Sequence, residues 1–242
     1  MHKLLIVCSL ATAAAAQEIW VDPLNGIDTA PGTYNQPLRR LTAALGLAGP
    51  GAQIQLLPGL YGPTHNGEAL PMDIGMIPQA GLVIRGIGNV VFDLAASTGT
   101  VFRLVNGASG ARITNLTIQN TDQAGWWTRA INSGSGVNAG NAAMNVEIDR
   151  CRFLTINRGI VLWTGDNVTG WKIHDNLFVN CSNDAILEYT GTNDIYNNTF
   201  APNRGLPKLS AGLVVGFQFP VEFNRSFVVQ AKPGPITATS MQ

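Results

Sequence analysis

Apolar and polar positions recur in a fixed order between residues 146 and 200. Val146–Phe153, Trp171–Phe178 and Asn193–Phe200 share the pattern Ile-x-x-(Asn or Cys)-x-Phe, with isoleucines at 148, 173 and 195. The steps are 25 and 22 residues, a period that marks a solenoid. Each phrase is too short for a helix. Side chains alternate between faces along a strand, so an apolar residue on either side of a polar corner predicts two short strands meeting at a bend. Asn suits that bend because it tolerates left-handed backbone geometry. If each unit makes one turn of a coil, Asn176 and Asn198 lie one above the other and can bond as a ladder. Cys151 holds the same place one coil earlier, where a small buried thiol fits.

The pattern extends both ways. Ile113–Ile118 repeats the apolar frame with Leu116 at the corner, and Phe223–Val228 is a weaker echo. A further strand precedes most phrases, at 101–105, 159–163, 185–189 and 212–217. Stacked coils close a core that none could bury alone. Upstream, 19–23 reads as a strand. Pro37–Ala48 reads as a short helix with Leu38, Leu41, Leu45 and Ala48 on one face. It covers the open end of the solenoid, whose unpaired strand would otherwise invite association. Residues 54–61 begin the first coil, 62–80 read as a loop, and strands resume at 81–86 and 89–94. Residues 121–145 form a large inserted loop.

This arrangement resembles the right-handed parallel β-helix of the pectate-lyase-like superfamily. Asn145–Phe153 is similar to that family's strand-and-corner phrase, and Asn176 and Asn198 match its asparagine ladder. The segment Trp20-Val21-Asp22-Pro23, Gly26, Asp28, Pro31-Gly32, Pro37, Leu41, Ala44, Pro50-Gly51, Ile54, Pro58-Gly59 and Tyr61 is similar to the N-terminal part of secreted β-helix proteins of a domain-of-unknown-function type. The expected fold is all-β, a single-stranded right-handed parallel β-helix spanning 17–231 with a short N-terminal capping helix at 37–48. The same fold carries lyases, hydrolases, epimerases, adhesins and tailspikes, so it implies no single activity.

Composition narrows the class. Only 12% of the 242 residues are charged, and the formal net charge is zero. A chain this neutral is a poor candidate for nucleic acid, whose binding rests on neutralising phosphates. Residues 1–16 read as a secretory signal, with His2 and Lys3 before an apolar Leu4–Leu10 run and Ala14-Ala15-Ala16 before Gln17. That run is too short to span a bilayer, and no other segment reads as a membrane span. Removing Lys3 with the signal leaves 14 basic against 15 acidic groups. Residues 232–242 read as a flexible tail. Two cysteines remain. In register Cys181 aligns with Ile156, five places past Cys151, which predicts two separate thiols, since a disulfide needs α-carbons within about 7 Å.

Enzymes of the resembled superfamily work in a groove along one strand of each coil. Aligning the coils sets Arg158 beside Asp184, with Glu188 on the same strand and Arg129 entering from the coil before. Trp126, Trp127, Trp163 and Tyr189 are the aromatic residues nearby and are expected to hold substrate. The resemblance implies a groove for extracellular polysaccharide and, in a uronate lyase, a base and a cation that neutralises the carboxylate. Arg158 or Arg129 is the candidate base or clamp. Asp184 and Glu188 are the candidate ligands of Ca²⁺. The alternatives are an Arg158–Asp184 surface ion pair and a non-catalytic surface, adhesion or structural solenoid. Glu147 and Arg150 replace the Trp and His usual in the family phrase, and no cluster of three or four acidic residues stands on adjacent coils. His174, beside Lys172, reads as a solvated rung residue. The oligomeric state is not legible.

Overall fold

The computed structural model describes residues 16–94, 99–120, 128–134, 143–163, 168–188 and 193–201, and the backbone of two further strands at 211–215 and 228–229. Each coil supplies up to three strands, and strands of successive coils pair in parallel. The first sheet comprises β1 (Glu18–Val21), β2 (Gln53–Leu56), β5 (Val83–Gly86), β8 (Arg112–Thr114), β11 (Glu147–Asp149), β13 (Lys172–His174) and β15 (Asp194–Tyr196). The second comprises β3 (Gly59–Tyr61), β6 (Val90–Asp93), β9 (Thr117–Gln119), the first halves of β12 (Arg152–Leu162) and β14 (Leu177–Glu188), β16 (Thr199–Ala201) and β18 (Val228–Val229). The third comprises β4 (Met72–Ile74), β7 (Thr100–Leu104), β10 (Arg129–Ser133), the second halves of β12 and β14, and β17 (Ala211–Val215). Parallel crossovers of this kind are right-handed, and the chain is a right-handed parallel β-helix.

The repeated phrase is the corner between the first and second sheets. Two residues make that corner in four consecutive coils, and they divide the work. The first adopts left-handed geometry: Asn115 at φ 59°, Arg150 at 54°, Asp175 at 56° and Asn197 at 53°. The second, Leu116, Cys151, Asn176 or Asn198, turns inward and is buried. The bend therefore falls one residue earlier than the Asn positions the sequence points to.

The inward residues form the ladder. Asn198 Oδ1 accepts from Asn176 Nδ2 at 3.0 Å and from the Asn176 backbone N–H at 3.1 Å. Asn176 Oδ1 accepts from the Cys151 N–H at 2.9 Å, and Asn176 Nδ2 donates to the Ile148 carbonyl at 2.9 Å. Burial pushes the Cys151 thiol up to about 12, so it is neutral where it stands. Cys151 and Cys181 are both buried and neither is in a disulfide, and Cys181 pairs in register with Ile156.

Apolar columns fill the interior. Phe153 stacks on Phe178 at 4.6 Å and Phe178 on Phe200 at 5.3 Å, while Tyr61 stacks on Phe92 at 5.0 Å. Ile118 sits in register between Phe92 and Phe153 and joins the two runs.

The helix α1 spans Leu41–Leu47, shorter than the 37–48 the pattern predicts. Leu38 is drawn into a parallel bridge with Val21, donating its N–H to the Trp20 carbonyl at 2.9 Å. The first free helical N–H groups, of Leu41 and Thr42, are capped by the buried carboxylate of Glu68, 27 residues downstream. Such orphan donors need a partner when buried. The segment 62–80 also holds β4, which the sequence reads as loop. Met72 and Ile74 are buried, and Asp73 makes a two-point bond with Arg103 of β7.

Asn176→Ala strips partners from the Cys151 N–H and the Ile148 carbonyl inside the coil. Unfolding in denaturant is expected to show a loss of about 2–4 kcal/mol. A loss below about 0.5 kcal/mol, the size of an ordinary surface substitution, contradicts the ladder's contribution.

Candidate functional site

The third sheet brings together most of the described residues that the sequence points to. Arg129, Arg158 and Asp184 occupy one register position on three successive coils. Arg158 Nε lies 3.1 Å from Asp184 Oδ2, with the two side chains only 15% and 9% exposed. Burial raises the Asp184 pKa, and the charge and hydrogen bond of Arg158 act against that rise. This pair is largely sheltered from water, unlike the surface ion pair of the alternative reading. Gly159, next along the strand, lies so close to the neighbouring coil that a Cβ would fall 2.2 Å from the Ala185 carbonyl oxygen.

Arg129 is buried, and its guanidinium carbon lies 4.7 Å from the Trp163 ring centroid. Asn132 Oδ1 accepts from Trp163 Nε1 at 2.8 Å and from Arg129 Nη1 at 3.3 Å. The Trp163 N–H donates to Ser133 Oγ at 3.0 Å. The indole is thus fixed through ring face, ring nitrogen and backbone. Asn132 and Ser133 were missed by sequence reasoning. Their only signal is position: they are polar residues on a strand whose in-register partner for Asn132 is the apolar Val161.

Glu188 belongs elsewhere. It pairs in register with Leu162, a core residue, and is 1% exposed. Its Oε1 accepts from Asn193 Nδ2 at 2.6 Å, while Oε2 is buried without a hydrogen-bond partner. Asn193 in turn accepts the Trp171 N–H at 2.9 Å. Asp184 is engaged with Arg158 and Glu188 with Asn193. Among the described residues no group of three or more His, Cys, Asp or Glu side chains could hold a metal ion. Ca²⁺ takes about six to eight oxygens, and these two carboxylates, differently engaged, do not fit it. Trp126, Trp127 and Tyr189 lie outside the described residues.

The outer face of the first sheet carries a second polar cluster. One column alternates in sign through Arg112, Glu147, Lys172 and Asp194; the next runs Thr114, Asp149, His174 and Tyr196. Arg112 grips Asp149 at 2.9 and 2.7 Å. Burial works to raise the Asp149 pKa, but the Arg112 hydrogen bonds and charge outweigh it and hold the carboxyl low. His174 is not the solvated residue expected. Its side chain is 12% exposed, with Nδ1 2.9 Å from Asp175 and Nε2 3.2 Å from Glu147. Tyr196 stacks flat on it at 4.7 Å. Both ring nitrogens are engaged, so this imidazole has no open position for a reacting group.

The family described as a protein of unknown function, DUF1565, matches residues 24–218, which is most of the chain. The chain belongs to that family. No curated protein matches the sequence of this DUF1565 chain. Among solved structures it is similar to a rhamnogalacturonan lyase, at 15% identity over 86% of this chain and 64% of that one, with a TM-score of 0.53. It is also similar to the GH136 lacto-N-biosidase of Eubacterium ramulus, at 14% identity over 76% and 45%, with a TM-score of 0.51. The DUF1565 chain spans less than two thirds of either protein. At these identities the likeness establishes the shared fold.

Glu188 supplies a pH test of this geometry. Burial raises its pKa above the ordinary 4.5, with the Asn193 hydrogen bond acting against the rise. A raised carboxyl contributes its stability below the unfolded-state value and loses it as pH climbs through the folded value. Glu188→Gln mimics the protonated acid and keeps the acceptor for Asn193. Thermal melts of the two proteins are expected to diverge as pH rises, with the wild type falling relative to the variant. Parallel curves across the range contradict the burial of an acid at this place.

Proposed function

We propose that this protein is a secreted β-helix that binds an acidic extracellular polysaccharide along its third sheet. The observation that carries the reading is the Arg129–Asn132–Trp163 assembly beside the Arg158–Asp184 pair. Arg129 and Arg158 follow one another in register on successive coils, beside an indole held by Asn132 and Ser133. Guanidinium forks match carboxylates, and indole faces suit the C–H side of sugar rings, which are apolar. The strand spacing of about 4.8 Å repeats along the axis, as a polymer repeats along its chain. The two solved relatives bear the names of a rhamnogalacturonan lyase and a lacto-N-biosidase, which agrees with a glycan ligand. Secretion rests on the signal-like residues 1–16.

Binding is favoured over elimination. Arg158 is held by Asp184 and Arg129 by Trp163 and Asn132. A guanidinium pinned as a cation does not take up a proton. Nor, among the described residues, is Asp184 or Glu188 engaged with a second carboxylate, the pairing that hydrolysis of a glycosidic bond requires.

Affinity electrophoresis in gels containing polygalacturonate tests the reading. The wild type is expected to be retarded, less so as salt screens the charges. Trp163→Ala, and separately the double change Arg158→Ala with Asp184→Ala, are expected to weaken retardation about tenfold, or about 1.4 kcal/mol. Circular dichroism confirms that each variant folds. A wild type that runs unretarded through polygalacturonate and alginate, or folded variants that bind as it does, overturns the proposal. Growth of ultraviolet absorbance from unsaturated uronate would instead restore the lyase.

A further inference from the structure

The segment ahead of α1 holds a cavity that the third sheet does not use. Its volume is about 360 Å³, inside the range of roughly 300–1,000 Å³ usual for small-ligand sites. Asn25, Thr29, Asn35 and Gln36 line it together with Ile27 and Pro31, and no ionisable side chain is among its described lining residues. Among the described residues, the side chains of Thr29, Asn35 and Gln36 have no hydrogen-bond partner. Ile27 is left 64% exposed.

The nearby carboxylates of Asp22 and Asp28 are engaged by other groups. Asp22 accepts from the backbone N–H groups of Leu24 and Asn25 and from Asn25 Nδ2, at 2.9–3.0 Å. Asp28 receives the N–H groups of Arg39 and Arg40 and the Arg40 side chain. A charged ligand would find no counter-ion in the cavity. Amides and a hydroxyl both donate and accept, so they match the neutral hydroxyl and acetamido groups of a sugar. Ile27 and Pro31 match its C–H face.

The cavity is also preformed. The Ile27 N–H donates to the Pro37 carbonyl, Ala30 to Ile27, Gly32 to Gln36, and Gln36 to Thr33, all within 3.1 Å. Gly26 is pressed so close to the Leu38 carbonyl that a Cβ would lie 2.1 Å from its oxygen. A site held this way loses little freedom when a ligand enters. Tyr34, next in sequence to Asn35, is 64% exposed, and its ring is braced edge-on by Trp20 at 4.9 Å. An aromatic ring fixed on one side and open on the other is a stacking surface.

We propose that this cavity, in the segment between β1 and α1, binds a neutral sugar residue of a glycan and forms a second site independent of the acidic-glycan surface. Saturation-transfer NMR on the whole protein tests it, using neutral cello-, xylo-, manno-, galacto- and N-acetylglucosamine oligosaccharides, a galacturonate oligomer and a proline-rich peptide. Transfer to at least one neutral oligosaccharide is expected, and excess polygalacturonate is expected to leave it in place. Asn35→Ala and Gln36→Ala should each weaken that binding about three- to tenfold with an unchanged melting temperature, and Tyr34→Ala should weaken it as well. The proposal falls if no neutral oligosaccharide shows transfer or if only the galacturonate oligomer or the peptide binds. It falls equally if binding survives both amide deletions or is displaced by polygalacturonate. Because the third-sheet reading is scored by a different ligand in a different assay, either can fail alone.

Discussion

The parallel stacking of coils is the constraint from which the rest of this structure follows. Each strand lies about 4.8 Å from its neighbours, so a residue meets its counterparts one coil up and one coil down before it meets anything else. An apolar position must therefore continue as a column, as Phe153, Phe178 and Phe200 do. A buried polar position must find its partner in the same column. Asn176 meets this demand by accepting from the Cys151 N–H and donating to Asn198 and to the Ile148 carbonyl. One amide thus makes bonds to three residues, and a buried group left unpaired costs about 1–3 kcal/mol.

What could be read in the sequence is what obeys that rule. Ile148, Ile173 and Ile195 fix the register, which carries to Cys181 beside Ile156 and, past a register shift between Ile156 and Arg158, to Arg158 beside Asp184. The contacts that escaped reading join segments that share no period. Glu68 caps α1 from 27 residues away, and nothing in the spacing of a lone glutamate announces this. Strand β4 has three residues between Pro71 and Gly75 and is a strand because β7 pairs with it, not by local preference. Leu38 sits in the helical pattern, yet Val21 offers it a bridge that a helix would have to forgo. Asn132 hides for a related reason. Its role lies in bonds to Trp163 and Arg129, which the alternation of apolar and polar residues does not encode.

The two polar faces differ in how their charges are ordered along the axis. On the first sheet the column Arg112, Glu147, Lys172, Asp194 alternates in sign, so each charge has opposite neighbours along the axis. Asp149 is gripped at both oxygens and His174 at both nitrogens. Such a face is stable and chemically closed. On the third sheet two arginines follow one another in register before Asp184 arrives. Like charges on adjacent strands repel, and they persist only where something offsets the repulsion. Here Asp184 and the face of Trp163 supply that offset. The first sheet orders its charges by alternation, and the third by a run of like charges closed by an acid and an indole.

The corners explain why the unusual groups gather where they do. Between the first and second sheets the corner is two residues in four successive coils, and any insertion would break the ladder. Between the third and first sheets the connection from β14 to β15 is short, whereas that from β10 to β11 is long. With variable lengths, column order there is no longer enforced. Leu162 is followed one coil on by Glu188, an acid in place of a hydrophobe, and Asn193 of the next connection comes in to satisfy one of its oxygens. The strict corner keeps the solenoid wound. The loose one leaves room for side chains that do not serve the winding, and Trp163, at the end of β12, projects from it.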